Sequence, residues 1–184
     1  MLELKTFISG MTTLQKCYIG WQFDTKDQMQ VAIWYAPFKN LSDERFKKLI
    51  KDYYTHNRQP PKSVMELKQP LVDEVYENAK IKPEMALSFV REIISNRGGW
   101  QFEGRAEIYQ DLKPYPEVYE TVRELEDELR ELKIGDSYFP NRFRETYAIK
   151  LRIGAMRFVD KELGLSLPSG EKKVLGSGTL PYEE

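Results

Sequence analysis

The sequence predicts an all-α fold, and three observations support that prediction. Apolar residues recur three and four positions apart in most segments. The breaks between these segments carry capping residues, prolines or paired glycines, which are the usual signals of helix ends. No segment alternates apolar and polar residues between hairpin turns, as a half-buried strand would. With 184 residues, of which 41% are hydrophobic and 31% charged, the chain can form one moderate domain or two small ones.

Two helices are predicted between a short first helix, which contains Cys17, and a double proline. Residues 29–35, MQVAIWY, are apolar around most of a helix until Pro37 ends it, which is typical of a helix buried on several sides or shared with a partner. Ser42 is the expected N-cap of the second helix, because two acidic residues follow it directly. That helix is predicted to end near Asn57. Its core stripe consists of Phe46, Leu49, Ile50 and Tyr53.

A rigid turn is predicted to follow this second helix. Pro60 and Pro61 lack backbone donors and keep the residues before them out of the α region. The next helix is predicted to start at Ser63, where Ser63 and Glu66 can form a capping box that satisfies two backbone donors reciprocally. We interpret the double proline as a device that sets an angle between helices.

Helical spacing continues beyond the turn. It runs through residues 71–76 and again from Pro83 to residue 94, until Gly98 and Gly99 stop the helix. Residues 98–116 contain glycines and prolines without a clear period, so we expect a connection with at most one short helix there.

The segments 117–133 and 141–161 predict a helical hairpin. The first has seven acidic residues against Arg123, Arg130 and Lys133, a net charge of −4, and the second has six basic residues against two acidic ones, a net charge of +4. Exposed ion pairs stabilise a fold by only about 0–1 kcal/mol each, so the apolar seam must carry the stability. The seam of the first arm consists of Val118, Val122, Leu125, Leu129 and Leu132. The second arm has Phe143, Tyr147 and Leu151 at four-residue spacing.

These elements suggest three parts. Residues 1–80 are predicted to form a small N-terminal helical domain, and residues 81–163 a C-terminal helical region that contains the hairpin. Residues 164–184 are rich in Ser, Gly and Pro, so we expect a flexible tail.

The composition argues against an enzyme. One histidine, His56, and one cysteine, Cys17, cannot build a Cys/His zinc site, and we predict no metal. No phosphate-binding glycine motif follows a predicted strand, so we predict no nucleotide site and no cofactor. We expect Cys17 to be buried and His56 to be solvated. The N-terminus lacks the pattern of a signal peptide, and no apolar stretch reaches the roughly 20 residues that span a bilayer, so we expect a soluble intracellular protein without membrane contact.

A basic segment keeps nucleic-acid binding open as an alternative. The net charge of the whole chain is −1, which does not favour general DNA coating. Basic residues near Tyr53 and Tyr54 can still follow a phosphate backbone while the aromatic rings stack on bases. The candidate residues for DNA contact are Arg45, Lys48, Lys51, Arg58 and Lys62. The ordinary alternative is the solvated face of an amphipathic helix.

Three short motifs carry a resemblance to a known family. They are Trp34-Tyr35, the acidic helix start LSDER at residues 41–45, and the turn NRQPPKSVME at residues 57–66. Together they resemble the N-terminal domain of the phage replicative-helicase loader/inhibitor proteins, over about residues 11–70 and more loosely over 84–150. The segment NRFRETY at residues 141–147 is similar to the Phe-Arg-x-x-Tyr element of longer relatives. Lys62 between the second proline and the capping serine, and the long acidic arm 117–133, depart from the family pattern.

The resemblance implies a replication adaptor in the cytoplasm of a bacterial host cell. Such a protein would bind a hexameric replicative helicase, or the AAA+ ATPase that loads it, and would inhibit the helicase or deliver it to an origin-bound initiator protein. Partner contact is then expected in the C-terminal region, at Phe143, Arg144, Tyr147 and Arg152. The alternative for Phe143 and Tyr147 is packing against Leu125 and Leu129. A DNA-binding replication initiator, using the basic face of residues 45–62, is the second hypothesis for function.

Overall fold

The computed structural model describes residues 1–98, 105–130 and 138–165, and within these ranges the protein consists of helices and turns without a strand. The predicted all-α class is confirmed. A 3₁₀ turn, Ala36–Phe38, directly follows α2. The α-helices are α1 Leu4–Cys17, α2 Gln28–Tyr35, α3 Asp43–His56, α4 Val64–Leu67, α5 Gln69–Glu77, α6 Pro83–Asn96, α7 Arg105–Leu112, α8 Pro116–Glu124, α9 Glu126–Arg130 and α10 Tyr138–Glu162.

The predicted caps of α3 and α4 are present, with one change. The Ser42 hydroxyl accepts a hydrogen bond from the amide of Arg45 at 3.2 Å, as expected of an N-cap. The Ser63 hydroxyl likewise accepts from the amide of Glu66 at 3.2 Å. The Glu66 carboxylate, however, accepts from the amide of Lys62 at 2.8 Å. The expected reciprocal box is therefore shifted by one residue, because the turn after the double proline aims the Lys62 amide back at the helix.

A first core joins α1, α3 and α5. Its centre contains Phe7, Met11, Phe46 and Leu49, all buried. Helices α1 and α3 are parallel, because hydrogen bonds join both pairs of ends. At one end the Thr6 hydroxyl donates to the Asp43 carboxylate at 2.9 Å, and at the other end the Tyr18 hydroxyl donates to the Asn57 carbonyl at 2.9 Å.

A second core joins α6, α7, α8 and α9 to the first half of α10. Val90, Ile108, Val122 and Phe143 are fully buried in it. The predicted acidic arm 117–133 is broken at Leu125 into α8 and α9. Its charges still meet α10 as predicted, in ion pairs of Glu124 with Lys150 at 2.6 Å, Glu128 with Arg142 at 2.9 Å and Glu120 with Arg157 at 3.9 Å.

Helix α10 belongs to both cores. Its buried residues recur every four positions, and each such step advances about 40° around the helix, so the stripe turns by about 200° from Phe139 to Val159. The first half of the stripe therefore faces α6 and α8, and the second half packs in the first core with α5. The stripe consists of Phe139, Phe143, Tyr147, Leu151, Ala155, Val159 and, after the helix, Leu163. The predicted N-terminal unit, residues 1–80, thus gains part of its core from the end of α10.

Gly164 ends α10 in the left-handed region, with φ of 71°. The amide of Leu165 donates to the Asp160 carbonyl at 2.7 Å and the amide of Gly164 to the Lys161 carbonyl at 3.0 Å, which is the Schellman arrangement. The predicted flexible tail lies outside the described residues from residue 166 onward, as do residues 99–104 and residues 131–137 with the seam residue Leu132.

The expectation that Cys17 is buried is wrong. Cys17 is exposed, because it lies about 80° around α1 from the stripe of Phe7, Met11 and Leu14. None of the residues of α2 is fully buried, and Met29 and Ile33 lie on the surface. Helix α2 packs through one side only and leaves the other apolar side in solvent. His56 is exposed, as expected.

Candidate partner-binding and nucleic-acid-binding surfaces

The two aromatic residues predicted for partner contact lie in the second core. Phe143 is fully buried and Tyr147 nearly so, in the same cluster as Leu125 and Leu129. The Tyr147 hydroxyl donates to the Ile81 carbonyl at 2.9 Å, and burial, aided by the charge of Glu117, raises the pKa of Tyr147 to about 12. The packing alternative therefore accounts for both side chains in this structure.

The two predicted arginines lie on the surface of α10. Arg144 is exposed and donates to the Asn141 side chain at 3.1 Å. Arg152 pairs with Asp73 of α5 at 2.6 Å and lies over the ring of Tyr76, 5.6 Å from its centroid. Arg152 thus ties α10 to α5, whereas Arg144 has its charge directed to solvent.

A groove that runs from α6 to α10 lies near the predicted partner residues. Its α6 end has a volume of about 570 Å³ and is lined by Met85, Phe89 and Tyr115. Its α10 end has a volume of about 580 Å³ and is lined by Leu151 and Phe158, with Tyr147 beneath. Both ends share Lys80, Ile81 and Tyr115, so they adjoin each other at these residues. We call this feature the α6–α10 groove.

Large apolar side chains stand in solvent at the two ends of this groove. Met85 is 62% exposed and Phe158 is 59% exposed. Between them the rings of Phe89 and Tyr115 meet edge to face, 4.9 Å apart, and form a half-buried aromatic wall. The charged residues that line the α6 end are Lys80, Glu84 and Glu92.

The sequence reasoning did not single out Ile81, Met85, Phe89 or Phe158. A signal for α6 was present, because its apolar residues cover more of the helix than one core stripe requires. Only Ala86, Leu87 and Val90 are buried, which leaves Met85 and Phe89 on another face. No such pattern indicated Phe158. The buried stripe of α10 turns around the helix, so whether Phe158 is exposed depends on which neighbouring helix lies beside it.

The five candidate residues for DNA contact do not form one surface. Arg45 and Lys48 both pair with Glu74 of α5, each at 2.6 Å. Lys51 follows Lys48 by about one helical turn and lies toward α1. Arg58 and Lys62 are exposed at the double-proline turn. The predicted basic face is therefore divided between α3 and the turn, and two of its five charges are already neutralised.

Glu74 is ionised more readily than an ordinary glutamate. The hydrogen bond from Lys48 lowers its pKa most, and the positive charge of Arg45 lowers it further against the opposing effect of partial burial. Because the pKa is lower in the folded protein than in the unfolded chain, these ion pairs stabilise the fold at pH values above about 4.3. That contribution is lost as the pH falls through the lowered value.

Replacing Glu74 with glutamine is expected to lower the free energy of unfolding by about 1 kcal/mol at pH 7, since two partly exposed ion pairs are lost. The difference from the unsubstituted protein should shrink as the pH falls below about 4. Urea unfolding followed by circular dichroism at several pH values between 7 and 3 measures this. Glu77→Gln, an exposed change on the same helix, is the matched control and should be neutral throughout. A Glu74→Gln deficit that stays constant with pH would contradict the ionic explanation.

A smaller cleft lies beside the double-proline turn. Its volume is about 360 Å³, and Pro60, Met65 and Met156 contribute to its lining. Lys68 also lines it, although the Lys68 side chain is only 3% exposed and its ammonium pairs with Asp160 of α10 at 2.5 Å. The turn that carries the family resemblance is thus fastened to the same helix that carries the NRFRETY segment.

The described residues contain neither a candidate metal-binding cluster nor a membrane-spanning helix. Among residues 1–98, 105–130 and 138–165, no three His, Cys, Asp or Glu side chains are grouped so that they could hold a metal ion. Within the same ranges, no helix is long and apolar enough to span a membrane.

These features define an all-α protein with an apolar surface groove across its longest helix. Comparisons with protein-family models, with curated proteins and with solved structures found no match to this chain.

Proposed function

We propose that this protein is a non-catalytic adaptor of DNA replication that binds a hexameric replicative helicase, or the AAA+ ATPase that loads it. By binding it inhibits the helicase or delivers it to the origin. The proposal comes from the resemblance of residues 11–70 to the phage helicase loader/inhibitor proteins. The same proposal places the adaptor in the cytoplasm of a bacterial host cell.

The observation that carries the proposal is the α6–α10 groove. It lies on the helix where the resemblance places partner contact, and Tyr147 and Leu151 of that helix line it. Exposed Met85 and Phe158 at its ends are the kind of side chain that an amphipathic helix of a partner covers. Two glutamates and one lysine line the α6 end, so a partner helix with basic residues beside its apolar anchors fits best.

An adaptor without a nucleotide site acts on its partner through differential affinity. If it binds one state of the ATPase more tightly, it shifts the ATPase toward that state, and a coupling free energy of about 1–3 kcal/mol is sufficient for a several-fold to hundredfold effect. The hydrolysis that drives loading then belongs to the partner.

The second hypothesis, a replication initiator that reads DNA with residues 45–62, has weaker support. The pairing of Arg45 and Lys48 with Glu74 removes two of its charges. A basic face that releases fewer counterions binds duplex DNA less tightly.

Replacing Met85 with glutamate is expected to reduce the affinity for the partner ATPase at least tenfold, because it puts a carboxylate among apolar contacts and adds to the acidic charge there. The measurement is size-exclusion chromatography and biolayer interferometry with the purified replicative helicase and, separately, the purified loader of the host. The helicase ATPase rate is followed in parallel.

Ile19→Glu is the control, since Ile19 is an exposed apolar residue in the turn after α1, away from the groove. It should bind like the unsubstituted protein. Failure of the unsubstituted protein to bind either ATPase would overturn the proposal, and so would ATP hydrolysis by the purified protein alone. Specific binding to duplex origin DNA without either ATPase would favour the initiator.

A further inference from the structure

A second surface, unrelated to the groove, lies between the parallel helices α1 and α3. The helices approach closely at Gly10, where an added Cβ would lie 2.7 Å from Phe46 Cε1 and 3.0 Å from Ile50 Cγ1. This approach brings one row of α1 side chains opposite one row of α3 side chains. Between the rows is a cleft of about 350 Å³, here called the α1–α3 cleft.

The polar side chains that line the cleft are all able to donate hydrogen bonds. They are Lys5, Thr6, Ser9, Thr13, Lys47, Lys51 and Tyr54, and the remaining lining residues are Gly10 and Ile50. No carboxylate is among them. Three ammonium groups therefore face one cleft without an acidic lining residue.

Two carboxylates lie near the N-terminal end of the cleft, and both are engaged. Asp43 accepts hydrogen bonds from the Thr6 hydroxyl and from the Glu3 amide. Glu3 lies 3.6 Å from the Lys5 ammonium, in a pair whose side chains are largely exposed. Within the described ranges neither Lys47 nor Lys51 forms an ion pair, whereas Lys48, which lies toward α5 on the same helix, is paired with Glu74. The pKa of Asp43 is lowered mainly by the hydrogen bond from the Glu3 amide and also by the charge of Lys47, so Asp43 partly offsets that charge.

The two rows of donors fit a chain of phosphates. Lys5, Ser9 and Thr13 are four residues apart on α1, and Lys47, Lys51 and Tyr54 follow each other by one turn on α3. The α1 row is about 12 Å long and the α3 row about 10.5 Å, since a helix rises about 1.5 Å per residue. Phosphate oxygens only accept hydrogen bonds, and Lys, Ser, Thr and Tyr side chains commonly donate to them.

Tyr54 adds an aromatic surface at the end of the α3 row. Its side chain lies at the surface, with the residue 37% exposed, beside Lys51 in the cleft. A base can stack on such a ring only when it is not held in a duplex, so the arrangement favours a single strand.

We propose that the α1–α3 cleft binds the phosphate backbone of single-stranded nucleic acid, with Lys5, Lys47 and Lys51 neutralising phosphates and Tyr54 stacking on one base. The site is independent of the α6–α10 groove and of the proposed partner. Lys47, Lys51 and Tyr54 belong to the basic segment that the sequence suggested for DNA contact, whereas Lys5 of α1 does not.

The test is fluorescence anisotropy of a labelled oligothymidylate titrated with the full chain at several salt concentrations. Neutralising three phosphates of a single strand gives a slope of log K against log salt of about −2. The double variant Lys47→Glu/Lys51→Glu should lose binding at least tenfold and flatten the slope. Lys113→Glu/Lys161→Glu, with the same charge change on exposed lysines elsewhere, is the matched control and should keep most of the affinity.

Tyr54→Ala tests the stacking contact. It should weaken oligothymidylate binding about tenfold and leave the binding of an abasic oligonucleotide of equal length unchanged, while Tyr54→Phe should bind both normally. Circular dichroism of each variant checks that the fold is kept, which is expected because these side chains are exposed.

Three outcomes would overturn the proposal: equal losses in the two double variants, tighter binding of a duplex than of the single strand, or no binding of oligothymidylate at low salt. Met85→Glu should leave oligothymidylate binding unchanged, so the failure of the ATPase-binding proposal and the failure of this one can be told apart.

Discussion

Replacing Phe143 with alanine is expected to lower the free energy of unfolding by about 3–5 kcal/mol. Phe143 is fully buried at the centre of the second core, where α10 packs against α6 and α8. The smaller side chain would leave a cavity between helices that are held together on several sides, so little relaxation is available. Urea unfolding followed by circular dichroism measures the loss.

Phe158→Ala makes the same chemical change on the same helix, at a side chain that is 59% exposed. It is expected to change the free energy of unfolding by no more than about 0.5 kcal/mol. Comparing the two variants distinguishes a side chain that packs in the core from one at a surface groove, because Phe158 lies at the α6–α10 groove whereas Phe143 lies beneath the surface. Equal, small effects of both substitutions would mean that Phe143 does not pack as the structure has it.

Replacing Asp160 with alanine is expected to cost about 3 kcal/mol, because it leaves the Lys68 ammonium buried without its carboxylate. The Lys68 side chain is 3% exposed and the Asp160 side chain is 33% exposed, and their charged atoms are 2.5 Å apart. Partial exposure of Asp160 lets water reach the ammonium, so the cost falls at the low end of the range for buried pairs. Thermal and urea unfolding both report it.

The second half of this experiment is a double-mutant cycle. Lys68→Met keeps the volume and removes the charge, so it should be close to neutral, and adding Asp160→Ala to it should cost little more. The coupling free energy is then about 2–3 kcal/mol. Lys161→Ala, next to Asp160 but exposed, is the control and should have an effect below about 0.5 kcal/mol. An additive double variant would show that the pair does not hold α10 to the start of α5.

Local sequence was sufficient for the helix ends. Ser42 and Ser63 cap where the sequence placed them, because a serine before an acidic first turn offers its hydroxyl to amides only three residues away. The N-cap of α2 was missed although it is equally local. The carboxylate of Asp27 accepts from the amides of Met29 and Gln30, directly before the apolar run that begins at Met29.

The charge pattern was sufficient to predict that the two hairpin arms pair, but not to predict which residues contact a partner or DNA. The opposite net charges of 117–133 and 141–161 correctly brought Lys150 to Glu124 and Arg142 to Glu128. The charge pattern also predicted that Arg45 and Lys48 lie on a free basic face, whereas the structure pairs both with Glu74. Pairing across the hairpin follows from adjacent segments, whereas pairing with Glu74 depends on how α5 packs against α3.

The sequence by itself determined the helical class, both ends of α3, the starts of α4 and α6, and the four-residue spacing of Phe143, Tyr147 and Leu151 in α10, because each depends on groups within one or two turns of each other. Only the tertiary structure decided that α10 completes both cores, that Phe143 faces inward and Phe158 outward, and that Lys5, Lys47 and Lys51 share a cleft. The physical reason is that a stripe turning by about 40° per step has no fixed inner face until its neighbours are in place. Likewise, a charge is free or paired according to which distant helix lies beside it.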